Sequence, residues 1–129
     1  MQALLQSLKD VKAKWPMRGW SFDNRFTCVA STFGIDMAEK ARAAVAVALP
    51  RDWTERTLPG APTILRELAS RTGGVRAGQF LFSSDVAAGA AAYGLWWPWE
   101  EGRTISLRIG IEGAGDITYP LCEVFGVEP

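Results

Sequence analysis

Periodicity of apolar positions divides the chain into helical and extended segments. Leu4, Leu8, Val11 and Trp15 recur at spacings of four, three and four, with Leu5 beside them and Gln6, Lys9, Asp10, Lys12 and Lys14 outside the stripe. This is the period of an amphipathic helix, which Pro16 ends. The stripe either packs on a sheet of the same domain or forms a seam for a partner helix, and two heptads are too few to establish the second. From Trp20 the period changes to two, with Trp20, Phe22, Phe26, Cys28 and Ala30 on one side and Ser21, Asp23, Arg25 and Thr27 on the other. A two-residue turn at Asp23-Asn24 would set Phe22 opposite Arg25, so one continuous strand, with at most a bulge, fits the alternation better.

Asp36 stands where it can cap a helix, with Glu39 three residues on to reach back to the cap. The stripe Met37, Ala41, Ala44, Val45 and Ala48 carries that helix to about Leu49, where Pro50 closes it; a strand over residues 45–49 is the alternative. Residues 51–62 form the longest irregular segment, of a length at which functional loops become common. Pro62 opens the next helix, in which Ile64, Leu65 and Leu68 face the core and Arg66, Glu67 and Arg71 face water, and Gly73-Gly74 supplies a left-handed terminus. Residues 79–83 read as a strand, Ser84-Asp85 as a turn, and the Ala- and Gly-rich run 87–92 leads into the most informative stretch, residues 93–111.

That stretch reads as two strands around a tight turn. If one face of an antiparallel pair must be apolar, a three-residue connection Glu100-Glu101-Gly102 pairs Trp97 with Ile105, Leu95 with Leu107 and Tyr93 with Ile109, and Gly102 takes the left-handed position of a bulge-closed turn. A two-residue turn would set Trp97 opposite Ser106 and Leu95 opposite Arg108, mixing polar and apolar side chains on both faces. In the favoured register Trp96 and Pro98 stand on the outer face beside Thr104, Ser106 and Arg108, so either a helix or a partner must cover Trp96. Pro98 has no amide to donate, which favours an edge position for its strand. Residues 117–125 read as a final edge strand or irregular tail, with a short helix capped by Asp116 as the alternative. The whole predicts a single α+β domain over residues 1–129, an antiparallel sheet of four to five strands with two to three helices packed on one face.

Length agrees with one domain and one core. With 14 basic and 14 acidic residues the formal net charge is zero, so the broad positive field used by phosphate-backbone binders is absent and nucleic acid is not an expected partner. Ten of the bases are Arg and four are Lys, which with 13 Gly and abundant Ala suggests a GC-rich bacterial coding sequence. The first residues lack a basic segment followed by an apolar core, and the longest apolar run, residues 43–49, is far short of the roughly 20 residues that span a bilayer, so a cytoplasmic protein without membrane contact is expected. Cys28 and Cys122 belong to no CxxC pair and are expected as reduced thiols. Histidine is absent, which removes Ser-His-Asp and Cys-His catalysis, His-ligated metal sites and any imidazole switch.

The remaining candidates for chemistry read as structural. Glu100 and Glu101 are adjacent in a turn and read as solvated carboxylates, because acid/base pairs must face each other across a cleft. The segment 73–78 is glycine-rich but follows a helix and lacks the Lys-Ser/Thr of a phosphate loop. Cys28 lacks a histidine base and reads as a structural thiol. Six tryptophans in a chain with no catalytic signature point instead to a non-catalytic protein–protein recognition domain of adaptor, regulatory or immunity type, acting on a protein partner or by self-association as a homodimer. The expected surface is the outer face of the tryptophan-rich hairpin, with Trp96, Pro98 and Arg108, and a second contact in the loop bearing Arg51, Trp53 and Arg56, since Trp and Arg are enriched in binding hot spots; Asp52 and Glu55 lie between those bases and can pair with them. The alternative is a small-molecule binding domain or small enzyme whose pocket is lined by Trp20, Trp96, Trp97 and Trp99, with Asp23, Arg25 or Arg108 as polar contacts. No cofactor or metal is expected under either reading.

Overall fold

The computed structural model describes residues 1–129. Helices α1 (Gln2–Lys14), α2 (Ala38–Ala46), α3 (Thr63–Arg71) and α4 (Thr118–Phe125) accompany strands β1 (Ser21–Asp23), β2 (Cys28–Gly34), β3 (Arg51–Trp53), β4 (Phe80–Ser83), β5 (Ala91–Pro98) and β6 (Thr104–Glu112). The six strands form one open, wholly antiparallel sheet in the order β1-β2-β6-β5-β4-β3. The fold is therefore α+β, with a strand and a helix more than expected.

The larger departure is that helices cover both faces. On β5, Ala92 and Trp96 belong to a core shared with Leu5, Leu8 and Val11 of α1, Ala41 and Val45 of α2, and Leu121 and Phe125 of α4. The alternate residues Ala91, Tyr93 and Leu95 meet Leu65, Leu68 and Ala69 of α3 on the opposite face. A strand clothed on both faces reads as an unbroken apolar run, as residues 91–97 do. The stripe of α1 is consumed by the chain's own core, so the seam for a separate partner helix is not formed.

Double coverage overturns the expected hairpin register. Trp97 lies opposite Ser106, Leu95 opposite Arg108 and Trp96 opposite Leu107, rather than Trp97 opposite Ile105. The connection is residues 100–103, with the Trp99 amide donating to the Thr104 carbonyl at 2.8 Å and the Gly102 amide to the Trp99 carbonyl at 3.1 Å. On the second face α3 covers Leu95 of β5, while on β6 the charge of part-buried Arg108 is met by Asp23 and Ser106, so Leu95 and Trp97 sit beside Arg108 and Ser106 without breaking any burial rule. The requirement of one apolar and one polar face holds only where a single layer of helices covers a pair of strands. Gly102 does take the left-handed conformation, with φ +75° and open space where a Cβ would stand, so its constraint is conformational and not steric. Gly102→Val should cost about 1–2 kcal/mol, the penalty for a β-branched residue there, measurable as a shift in the urea midpoint at constant slope.

Two further segments differ. The alternation from Trp20 to Ala30 is not one strand: the chain turns at residues 24–27, and Ser21, Phe22 and Asp23 pair with Ala30, Val29 and Cys28. The Arg25 amide donates to Asp23 Oδ1 at 2.9 Å and starts the turn. A four-residue connection sets Phe22 beside Val29 on one face and Asp23 beside Cys28 on the other, so the even-numbered apolar positions do not share a face. Residues 117–125 are not a strand or tail; the short-helix alternative is realised as α4, where the Thr118 amide donates to Asp116 Oδ1 at 3.0 Å, Leu121, Cys122, Val124 and Phe125 are buried, and Gly126 closes the end at φ +68°. By contrast α3 runs as expected from just after Pro62, buries Leu65 and Leu68, and stops at Gly73 and Gly74, both at positive φ. Asp36 lies inside a 3-10 turn, Ile35–Met37, and makes no cap bond to α2.

Candidate functional site

The corrected register splits the surface expected around the hairpin. Trp96 points into the core and is 4 % exposed, with its ring edge-on to Phe33 at 5.5 Å and to Phe82 at 5.6 Å. It is covered by the chain's own layers, and the expectation that it stands on an outer face is corrected. Arg108 projects from the opposite face, where its Nε donates to Asp23 Oδ2 at 3.0 Å and its Nη1 to Ser106 Oγ at 3.0 Å. Pro98 is exposed at the end of β5. The second group is strand β3 and the turn after it, not an irregular loop. Arg51 Nε donates to Asp85 at 3.0 Å, the half-buried Trp53 donates its indole N–H to Ser83 Oγ at 3.0 Å, and Arg56 is exposed. Asp52 pairs with Arg42 at 3.7 Å and not with its neighbours.

What the structure does bring together is Asp23, Arg25, Phe26, Trp97 and Arg108 on the second face, at the β1–β2 turn. The β1–β2 turn folds over that face, setting Phe26 edge-on to Trp97 at 6.2 Å, with the Arg25 guanidinium 4.2 Å above Phe26 and that of Arg108 4.7 Å above Trp97. Three of the polar residues expected to line a pocket thus converge, but no tryptophan-lined pocket forms around them. Trp20 packs on Trp15 at 4.9 Å and Phe125 at 4.6 Å, Trp96 is in the core, and Trp99 is at the hairpin end. Phe26 escaped notice because it was assigned to a strand; the Asp-Asn pair before it was the available signal for a turn.

Burial alone would raise the Asp23 carboxyl, but hydrogen bonds from Arg108 and from the Arg25 amide, with the charges of both guanidinium groups, outweigh it and hold the carboxyl below its ordinary value. A carboxyl lowered on folding contributes stability that is complete above the unfolded value of about 3.9 and is lost as pH falls through the folded one. Asp23→Asn should therefore flatten the acid limb of stability between roughly pH 5 and pH 2, and should cost about 1–2 kcal/mol at neutral pH, read from urea titrations at stepped pH.

The thiols, phenol and carboxyls whose values shift on folding all move away from neutrality. Cys28 and Cys122 are unlinked and buried; burial, with the Asp23 charge adding to it, pushes the Cys28 thiol up to about 12, and burial also raises Cys122. Burial raises the Tyr93 phenol as well, which keeps it a neutral hydroxyl. Backbone amides lower Glu101 and Asp116, so both stay ionised. Glu100 and Glu101 are exposed in the turn, and no three His, Cys, Asp or Glu side chains converge.

A distinct exposed patch lies at the hairpin end. Trp99 is 50 % and Ile35 53 % exposed. They flank the start of β6: the Ile35 amide donates to the Arg103 carbonyl at 2.9 Å and the Trp99 amide to that of Thr104 at 2.8 Å. Pro98 adjoins them, and Asp36, Glu100, Glu101 and Arg103 are exposed around them. No helix is long and apolar enough to cross a membrane. No family model, curated protein or solved structure matches the chain.

Proposed function

We propose that the chain is a non-catalytic protein-recognition domain whose contact surface is the hairpin end of the sheet. One observation carries this reading: Trp99 is half exposed between exposed Pro98 and Ile35, inside a ring of charged residues. Interface hot spots take this form, an aromatic anchor within a polar rim. The shifts of the ionisable groups support the non-catalytic half of the reading, since the shifted thiols and phenol move away from neutrality on one side and the shifted carboxyls on the other. Pro98 is retained in this proposed surface, and Trp99 takes the role expected of Trp96.

Trp99→Ala should leave stability within about 0.5 kcal/mol of the parent. It should weaken binding by roughly 30-fold or more, the equivalent of about 2 kcal/mol for an anchor residue. The measurement is a paired pull-down from the native host with parent and Trp99→Ala chains, followed by titration of the differentially captured protein. Size-exclusion chromatography of the two chains tests self-association through the same patch. If Trp99→Ala retains every partner and the same oligomeric state, the hairpin end is not the recognition surface.

A further inference from the structure

At the end of β6 far from the hairpin, a cavity of about 360 Å³ opens between the β1–β2 turn, the C-terminal end of α3 and the loop into α4. Its size falls at the lower end of small-molecule sites, roughly 300–1,000 Å³. Tyr93 is part of its wall. The residue is 2 % exposed, and its ring crosses Gly110 so closely that a Cβ there would stand 2.5 Å from the phenolic oxygen. The hydroxyl has no hydrogen-bond partner in the chain, yet it is not sealed in the core as Trp15 Nε1 and Ser31 Oγ are; it meets the cavity. Buried hydroxyls as a rule find partners, so this one takes its partner, water or a ligand, from the cavity.

The charges around the cavity indicate which kind. Glu112 gives both carboxylate oxygens to Arg71, at 2.7 and 2.8 Å. Asp116 accepts the Thr118 amide. Arg25 is the cation without a close carboxylate: its nearest carboxylate oxygen, Asp23 Oδ2 at 3.9 Å, is the one Arg108 holds at 3.0 Å, its guanidinium rests over the Phe26 ring, and its side chain is 64 % exposed. The local carboxylates are engaged, while the side-chain N–H groups of Arg25 and the Tyr93 hydroxyl make no hydrogen bond within the chain. We propose that this cavity binds a small organic carboxylate, its oxygens received by Arg25 and the Tyr93 hydroxyl and its body lying against Phe26. Charge-assisted bonds of this type are the strong ones. One free guanidinium matches one negative charge; a phosphate dianion would leave a charge uncompensated beside Glu112 and Asp116.

The test is an amide NMR titration of the full chain with benzoate, pyruvate and gluconate, with methyl benzoate and inorganic phosphate as counterparts. At least one carboxylate is expected to shift the Thr27, Gly115 and Thr118 amides saturably, and Arg25→Gln and Tyr93→Phe should each weaken it roughly tenfold or more. Tyr93→Phe keeps the ring and loses only an unpartnered hydroxyl, so it should fold with parental stability. The site is overturned if no carboxylate of the panel shifts those amides, if the ester or phosphate binds as well as the carboxylates, or if Tyr93→Phe loses stability, which would reveal an internal partner for the hydroxyl. Trp99→Ala should leave the titration unchanged, so this site and the recognition surface stand or fall separately.

Discussion

Trp96→Ala is expected to cost about 3–5 kcal/mol, the range for removing a large aromatic from a core, and to lower the melting temperature by roughly 10–20 °C for a domain of this size. The indole is the β5 end of an aromatic chain that runs through the molecule. It meets Phe33 and Phe82 edge-on; Phe33 meets Trp15 at 5.5 Å; Trp15 meets Trp20, and Trp20 meets Phe125. These contacts tie β5 through β2 to α1 and α4, so the space left by an indole borders rigid rings that cannot slump into it, and the cost should fall in the upper part of the range. Urea denaturation checks this as a fall in midpoint at unchanged slope, with Trp99→Ala as the control that removes an indole from the surface. Equal stability of the Trp96→Ala and parent chains would mean that this face of the hairpin is not under the α1, α2 and α4 layer.

The contrast between the two tryptophans shows what could be read from the sequence and what could not. Trp96 and Trp97 occupy opposite faces of one strand, and both faces of that strand are covered, so neither composition nor alternation separates the core residue from its neighbour. The register could be argued only by assuming where the helices lie. Assigning them all to one face made the true pairing, Leu95 with Arg108, look frustrated. The same mixed row is what leaves Arg108 and Trp97 side by side beneath the β1–β2 turn. Elements whose signals are local were legible: α1 from its stripe and Pro16, α3 from Pro62 and the glycine pair, β4 from its short apolar run. The β1–β2 turn was hidden because the residues alternate regularly in sequence although the turn puts Phe22 and Cys28 on opposite faces, and Asp23-Asn24 was weighed only against a two-residue turn. With that turn unrecognised, Phe26 and Arg25 could not be placed over Trp97. Segment 117–125 was ambiguous because Pro120 suggests an interruption, although a proline in the first turn of a helix removes an amide that has no partner there anyway. Tyr93 and Gly110 carry no motif at all; only the pairing across β5 and β6 puts the ring over the glycine.

That pairing makes Gly110→Ala the second large effect, about 3 kcal/mol, in the upper part of the range for overpacking a well-filled site. Gly110 lies directly opposite Tyr93. A methyl group there would stand 2.5 Å from the phenolic oxygen, 2.7 Å from Cζ and 2.9 Å from Cε1. These are atoms of one rigid ring, so the contact cannot be relieved by turning a flexible chain end. The ring is itself held among Leu65, Leu68 and Leu81, and it can lift only by pushing α3 away from β5. Alanine would lower the entropy of the unfolded chain and recover about 0.4–1 kcal/mol, too little to offset the clash. The route of the damage can be tested with Tyr93→Leu, which removes the ring. If Gly110→Ala acts through Tyr93, the two substitutions are coupled, and in the Tyr93→Leu background Gly110→Ala should cost little more than zero. Equal cost in both backgrounds would show that the glycine is required for a reason other than the ring above it. A fully stable Gly110→Ala chain would place the phenol elsewhere and remove the wall of the carboxylate cavity with it.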